Sequence, residues 1–451
     1  MRVHFIAIGG SAMHNLAIAL HKKGYKVTGS DDVLFEPAVS HLAKYGLLPE
    51  QEGWYPEKIT TDIDAIILGM HARAENPELL KAQELGIKIY SYPEYIYEYS
   101  KNKLRVVIGG SHGKTTITSM ILHVLRGAGR DFDYLVGAQL EGFDTMVKLS
   151  EDAPLIVIEG DEYLSSAIDR RPKFHLYHAN LAVISGIAWD HINVFPTFEI
   201  YAEQFSKFID TIEPGGKLVY CETDAVLKNL VGANTSPTEK IPYHLPDHNI
   251  KNGITNIIAG GKEYPLQVFG EHNLLNLEAA RLVCENLGIR PEDFYRNIST
   301  FKGAARRLEL IGKNETSNFF KDFAHSPSKL KATIHAVKAQ FPGKRLIACI
   351  ELHTFSSLNK DFLEQYSGTM DEADEAIVFI DQKTFEQKKM TPYPAETVRN
   401  AFSRLDLQFY NDPELLENHL QQVEMKGTNL LMMSSGNFGG IDLPGLSLKI
   451  L

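Results

Sequence analysis

The chain has 451 residues, 44% of them hydrophobic, and a formal net charge of -11. That length allows about three domains with several buried cores, the dimensions of a globular enzyme. The acidic balance argues against broad nucleic-acid or anionic-membrane binding, which needs a basic face to replace counterions, but leaves room for an anionic small molecule at a local basic cluster. Cys221, Cys284 and Cys349 lie far apart without metal-ligand spacing and read as buried thiols of a reducing compartment. The opening MRVHFIAIGG reads as a strand with one polar interruption rather than a signal peptide. No apolar run approaches the length of a bilayer span, so the expected location is cytoplasmic.

In chain order, residues 3 to 8 run apolar into Gly9-Gly10. A helical stretch follows from Ala12 to Lys23, then a second strand from Lys26 to Gly29 that ends on Ser30-Asp31-Asp32. This is a βαβ nucleotide-binding opening, with an acid about 20 positions past the first glycine, where a ribose hydroxyl is gripped. Gly9, Gly10, Ser11, Ser30 and Asp31 are its candidate binding residues. The third glycine of G-x-G-x-x-G is missing, so an NAD(P)-dependent dehydrogenase, a structural turn and a different nucleotide all stay open. A strand at Asp64 to Leu68, a helix near Pro77 to Leu85 and a strand at Ile87 to Tyr90 come next. The polar run Ser100 to Lys103 reads as a linker.

The stretch VVIGGSHGKTT, Val106 to Thr116, combines a β-branched strand, a glycine turn and the start of a helix running to about Arg126. Gly110 and Gly113 can adopt backbone angles closed to other residues, so successive N-H groups can face phosphate oxygens at the positive end of that helix. Lys114 reaches the outer phosphates and the Thr115 hydroxyl suits a phosphate-bound metal. Ile108 replaces the first glycine of G-x-x-x-x-G-K-[ST], leaving the shorter G-x-x-G-K-T-T. The competing reading is a glycine turn followed by a solvated lysine.

Beyond the loop, an apolar strand from Pro154 to Ile158 ends on Glu159-Gly160-Asp161-Glu162, and another from Leu181 to Ile187 ends at Trp189-Asp190-His191. Mg2+ takes one or two carboxylates while keeping waters and phosphates. Glu159, brought to the loop by a parallel neighbour strand, is the metal candidate; Asp161 and Glu162 read equally well as solvated turn residues. His191, at the same sheet edge, is either structural or a metal or substrate contact. Phe198, Tyr201, Phe205, Phe208, Ile209 and Ile212 recur at helical spacing and predict a buried face of core aromatics. From about Lys240 to Phe269 the punctuation predicts short antiparallel strands, followed by a helix from Leu274 to Leu287. The third region predicts strands at Arg345 to Ile350, Ala376 to Ile380 and Asn429 to Met433, a helix over Asn359 to Met370, and a glycine turn, SSGNFGGI, at a ligand-binding sheet edge.

GGSHGKTT, EGDEY, WDH, GEHNLLN (Gly270 to Asn276), RRLE (Arg306 to Glu309) and KDFAHSP (Lys321 to Pro327) occur in the order and approximate spacing of the Mur ligases, and the resemblance covers essentially the whole chain. It implies an α/β protein of three domains: an N-terminal Rossmann-like UDP-sugar-binding domain (1-102), a central P-loop ATPase with a mostly parallel sheet plus a small antiparallel sheet (103-300), and a C-terminal Rossmann-like domain for the peptide or amino acid (301-451). By the same resemblance, Gly110, Ser111, His112, Gly113, Lys114, Thr115 and Thr116 hold ATP phosphates, while Thr115, Glu159 and His191 place Mg2+. Asn273 and Asn276 lie at the nucleotide, with Arg307 toward the phosphates and Asp322 toward the ribose. For Arg307 the alternative is a surface ion pair with Glu309. A sugar carboxylate attacks the γ-phosphate, and the incoming amine displaces phosphate from the acyl phosphate.

DRRPKF (Asp169 to Phe174), RRLE and SSGNFGGI look most like the muropeptide-recycling branch, which implies joining L-Ala-γ-D-Glu-meso-diaminopimelate to UDP-N-acetylmuramate. The alternative is the alanine-adding branch. The expected state is a monomer or weak homodimer without nucleic-acid or membrane partners. Several positions depart from the pattern: the family's paired histidines are reduced to His325-Ser326, Lys321 replaces an acid, His353 stands where an arginine is expected near the peptide, and the glycine-rich first turn is altered through Ala12, His14 and Asn15. His325 and His353 are therefore the acceptor-side candidates.

Overall fold

The computed structural model describes residues 1-251, 253-303 and 307-451. Two compact units result: Met1–Ile187, Glu199–His244 and Ala279–Pro291 form the first; Ala188–Phe198, Leu245–Glu278 and Glu292–Leu451 form the second. Among the described residues no helix is long and apolar enough to cross a membrane. Cys221, Cys284 and Cys349 are buried free thiols, as their spacing predicts.

The first unit contains a four-stranded parallel sheet in the order Lys26–Ser30, Arg2–Ile6, Ala65–Leu68, Ile89–Ser91. Val3 to Ile6 are all buried, as expected of a strand paired on both sides in a parallel sheet. The polar interruption, His4, is satisfied inside: its ring nitrogens lie 2.9 Å from Thr28 Oγ1 and 3.3 Å from Glu78 Oε2. The linker expected over Ser100 to Lys103 loses its first residue to a helix, Tyr92–Ser100, that the pattern of apolar residues does not reveal. Its start was encoded in Ser91-Tyr92-Pro93-Glu94, where Ser91 and Glu94 cap each other's backbone N-H groups and proline sits in the first turn.

The same unit holds a seven-stranded sheet in the order Glu239–Tyr243, Lys217–Cys221, Leu181–Ile184, Leu104–Gly109, Leu155–Glu159, Asp133–Leu135, Val147–Lys148. All neighbours are parallel except the final pair. The antiparallel expectation for 240-269 therefore needs correction. Glu239–Tyr243 is a parallel edge strand, where Pro242 is tolerated, and only His248–Lys251, Ile254–Ala259 and Lys262–Pro265, in the second unit, form the antiparallel meander.

Leu104–Gly109 lies at the centre of its sheet, with Val106, Val107 and Ile108 fully buried. Beneath its carboxyl end, Phe174 stacks on Phe208 with ring centroids 4.5 Å apart and meets Phe205 edge-on at 5.5 Å. A Cβ on Gly109 would come within 3.2 Å of Phe174 and 3.3 Å of Phe208, so the strand end rests directly on the rings. The aromatic face predicted on Phe198–Asp210 thus supplies the floor of the loop.

In the second unit a six-stranded sheet runs Glu309–Lys313, Asn318–Asp322, Thr428–Met433, Arg345–Glu351, Glu375–Phe379, Gln408–Tyr410, parallel except at Glu309–Lys313. One apolar cluster gathers Leu330, Ile334, Val337 and Tyr366; another gathers Leu416, Leu420, Phe438 and Leu446. The single helix expected over Asn359 to Met370 is instead a short helix, Phe355–Leu358, and a 3-10 turn, Leu363–Tyr366. Thr354 and Ser357 cap the first, and Asn359 leaves the helical conformation and ends it.

Replacing Phe174 with alanine removes the ring between Phe208 and Phe205. Unfolding in denaturant is expected to show the first unit destabilised by about 3–5 kcal/mol. A loss below about 1 kcal/mol would mean the stack does not carry the strand end.

Candidate active site

The loop Gly110 to Gly113 joins the central strand to the helix Lys114–Gly127. Gly110 has φ +130° and Gly113 φ +79°, both in the region that favours glycine. A Cβ on Gly110 would lie 2.1 Å from Ser185 Oγ, so the loop also needs glycine for space. Ser185 Oγ donates to the His112 carbonyl, and Ser111 N donates to Gly186 O at 3.0 Å. The loop is thereby stitched by its backbone to the end of Leu181–Ile184.

Lys114 Nζ donates to Gly110 O and to Glu162 Oε2, each at 2.6 Å. Burial disfavours the ammonium, but Glu162, Asp161 and Glu159 more than offset this and hold its pKa above the ordinary lysine value. Glu162 is not a solvated turn residue: it is 1% exposed. Tyr201, read from the sequence as core, is indeed buried, yet its hydroxyl donates to Glu162 Oε1 at 3.1 Å and bonds Ser111 Oγ at 2.7 Å. Helical spacing marks the buried ring of Tyr201 but carries no signal for what its hydroxyl meets.

Glu159 arrives as the parallel pairing predicts, with Ile108 opposite it in register. Its Oε1 accepts from Thr115 Oγ1 at 2.7 Å and its Oε2 from Gly137 N at 2.8 Å. Among the described residues, no three His, Cys, Asp or Glu side chains form a ready metal cage. Mg2+ does not require one, because water and phosphate fill most of its octahedron, and the Thr115 hydroxyl with one Glu159 oxygen fits that need. Thr116 is buried one position further along the helix.

A cavity of about 430 Å³ runs from this loop to the first βα turn, lined by Gly10, Ser11, His71, Lys114, Glu159 and Lys173. Lys173, from DRRPKF, pairs with Asp161 at 2.5 Å and adds a cation that the sequence reading did not single out. Ser30 is fully buried, and its carbonyl accepts from Ala7 N and Ile8 N, so it shapes the turn from below. Asp31 Oδ2 accepts from Gly9 N at 2.7 Å and Oδ1 from Asp32 N at 3.0 Å. A Cβ on Gly9 would sit 2.9 Å from that carboxylate. Burial, with Asp32 adjoining, pushes the Asp31 pKa up to about 6.

The other candidates belong to the second unit. Asn273 and Asn276 are buried, and Asn273 Nδ2 donates to Phe269 O at 2.8 Å. Asp322 Oδ1 accepts from Ala324 N at 2.7 Å and Oδ2 from Leu308 N at 2.6 Å, which anchors the residue following Arg307. The Arg307 guanidinium lies over the Phe323 ring, 4.9 Å from its centroid; Arg306 lies outside the described residues. His191 adopts φ +56°, and its N-H donates to Asp190 Oδ1 at 2.8 Å. Asp190 is 3.8 Å from Lys329, while Trp189 meets Phe362 edge-on at 6.5 Å. Burial, reinforced by Lys329, lowers the His325 pKa to about 3, so this ring is neutral. His353 Nδ1 lies 3.7 Å from Glu351 Oε1.

A glycine loop of this geometry at the carboxyl edge of a parallel sheet, with a buried lysine and a hydroxyl-carboxylate pair beside it, defines a nucleoside-triphosphate-binding α/β protein. Residues 2-103 match the Mur ligase family catalytic domain, 108-284 the Mur ligase middle domain, and 306-436 the Mur ligase glutamate ligase domain. The UDP-N-acetylmuramate-L-alanine ligase of Clostridium kluyveri is 32% identical over 389 residues, 84% of this chain and 82% of its own. The UDP-N-acetylmuramate-L-alanyl-gamma-D-glutamyl-meso-2,6-diaminoheptandioate ligase of Escherichia coli is 26% identical over 462 residues, 100% of this chain and 99% of its own. The solved UDP-N-acetylmuramate-alanine ligase of Thermotoga maritima shares the fold with a TM-score of 0.70 at 20% identity, covering 100% of this chain and 98% of that one. The chain belongs to the Mur ligase family, three-domain α/β enzymes that form amide bonds at the expense of ATP in cell-wall synthesis.

Two outcomes follow from this geometry. Tyr201→Phe keeps the buried ring and deletes the hydroxyl that holds Ser111 and Glu162. The KM for ATP, read from ADP release, is expected to rise about tenfold with the fold retained, and an unchanged KM would reduce Tyr201 to a core residue. Asp31, with its folded pKa raised, binds its proton more tightly folded than unfolded, so it adds stability as pH falls through about 6 toward the ordinary carboxylate value. Asp31→Asn should remove that increment from the Tm difference between pH 7 and pH 5; equal differences in the two proteins would refute the assignment.

Proposed function

We propose that this enzyme joins a peptide, L-Ala-γ-D-Glu-meso-diaminopimelate, to the lactyl carboxylate of UDP-N-acetylmuramate, in the cytoplasm, as a step of cell-wall peptide recycling. The observation that carries the reading is the cavity shared by Gly10, Ser11, Lys114 and Glu159, which gives a carboxylated sugar nucleotide and a triphosphate one common space. In this scheme a carboxylate oxygen attacks the γ-phosphorus of ATP and ADP departs. The acceptor amine then attacks the acyl phosphate, expelling phosphate and giving up a proton. Positioning and charge neutralisation dominate such a transfer, and Lys114 and Arg307 supply cations for it. Magnesium held by Thr115, Glu159 and His191 would add further neutralisation of the phosphates. Domains divided at residues 102 and 300 would separate sugar, ATP and acceptor.

The peptide acceptor is supported by DRRPKF and SSGNFGGI and by the full-length alignment with the Escherichia coli relative. Glu351 holds the SSGNFGGI turn in place: it is 1% exposed, accepts from Phe438 N at 2.8 Å and from Ser434 Oγ, and leaves no room for a side chain at Gly436. L-Alanine is the second reading, favoured by the Clostridium kluyveri relative. The dehydrogenase reading loses its main support, since the Asp31 carboxylate that would grip a ribose is occupied by the backbone of its own turn.

The deciding measurement is an acceptor panel with UDP-N-acetylmuramate and ATP: alanine, the tripeptide, a tetrapeptide and a lysine-containing tripeptide, read by product mass. Amide product with the diaminopimelate tripeptide is expected. Product with alanine alone would transfer the enzyme to the alanine-adding branch.

A further inference from the structure

A second cavity, of about 520 Å³, lies in the first unit at the far end of the loop helix. Arg126 is in the last turn of Lys114–Gly127, twelve residues from Lys114, which places it about 18 Å along the helix at 1.5 Å per residue. The lining brings together five cations and only two carboxylates in a chain whose overall charge is -11. Lys148 is paired with Asp131 at 3.1 Å, and Lys23 sits 3.8 Å from the largely exposed Glu151. Lys22, Arg126 and Arg130 make no ion pair with a carboxylate among the described residues. Arg126 donates to Gly142 O and covers Phe143, its guanidinium 4.7 Å from the ring centroid; Arg130 donates to Leu287 O at 2.7 Å.

Basic residues at a helix end often do no more than complement the helix dipole, and Lys22 and Arg126 occupy such positions. That accounts for each residue on its own helix but not for their meeting, with Arg130 beyond the helix, in one concave space. Guanidinium groups fixed by carbonyls keep further donors for oxyanions, and their fork matches phosphate. Like charges held together are offset when a multivalent anion enters.

We propose that this cavity is a second anion site, separate from the ATP loop, that takes a diphosphate group through Arg126, Arg130 and Lys22. The cavity has the size of small-ligand pockets, so it accommodates more than a single inorganic ion. Free nucleotides and prenyl-lipid headgroups both carry diphosphates, and the chemistry recognised is common to them.

The test counts inorganic pyrophosphate bound to the whole enzyme by titration calorimetry in wild type, Lys114→Ala and Arg126→Gln/Arg130→Gln. Two binding events are expected in wild type: one lost in Lys114→Ala, the other weakened about tenfold or more in the double variant, whose basal ligase activity is retained. Arg126→Lys/Arg130→Lys, which preserves charge, should recover part of the affinity and so separates charge loss from misfolding. In the Lys114→Ala background, displacement by ADP assigns the site to a soluble nucleotide, and displacement only by vesicles of phosphatidylcholine with a prenyl diphosphate assigns it to a lipid headgroup. Wild-type pyrophosphate affinity and stoichiometry in the double glutamine variant would overturn the proposal.

Discussion

The buried ion pair between Lys114 and Glu162 is the constraint on which the active site turns. At 2.6 Å, with the lysine side chain 15% exposed and the glutamate 1%, each charge depends on the other. Removing one partner from such a pair typically costs about 3–5 kcal/mol, because the survivor keeps its desolvation penalty. The geometry spreads that risk: Glu162 also accepts from Tyr201, and Lys114 also donates to Gly110 O. An incoming phosphate therefore competes with a carboxylate for an ammonium that is already charged and already aimed. Tyr201 offers Glu162 a hydrogen bond throughout, so this exchange need not leave the acid wholly unpartnered.

Everything that positions the pair follows from the central strand. Leu104–Gly109 has parallel partners on both sides, so three strand ends converge on one edge and bring Glu159, Ser185 and the glycine loop together. The parallel neighbour that delivers Glu159 was legible because an apolar run ending in an acid, about 45 residues past the lysine, fits a crossover to an adjacent strand. Gly110 and Gly113 were legible because few other residues tolerate their backbone angles. Tyr201 and Glu162 were not. A hydroxyl on a buried helical face and an acid in a polar turn each have two ordinary meanings, and only their three-dimensional meeting separates those meanings.

Two acids expected at sugars illustrate a second limit. Asp31 and Asp322 both stand just beyond or at the end of parallel strands, the usual place for a ribose acceptor. Both carboxylates accept from backbone N-H groups of their own turns: Gly9 and Asp32 for the first, Leu308 and Ala324 for the second. A carboxylate beside a tight turn meets unsatisfied backbone donors closer than any ligand, and sequence spacing does not distinguish the two acceptor roles. Asp322 fixes Leu308 at φ +48° and with it the direction in which the chain leaves Arg307.

The ATP loop and the turn beyond Arg345–Glu351 are constrained by different means. Around the ATP loop the contacts run through backbone groups, such as Ser111 N to Gly186 O, and through glycines whose replacement would collide with Ser185; few side-chain changes there leave the cradle standing. At the carboxyl edge of Arg345–Glu351 the frame is again fixed, since Glu351 holds the Ser434 to Phe438 turn. His353 lies against that frame, 3.7 Å from Glu351, with its Nδ1 buried without a hydrogen-bond partner among the described residues and its ring so near Gly436 that a Cβ there would meet it at 2.9 Å. The ring is thus held by packing rather than by a hydrogen bond, at the cost of one unsatisfied buried nitrogen. The position that departs from the expected arginine is therefore fixed by packing against the same turn that Glu351 holds.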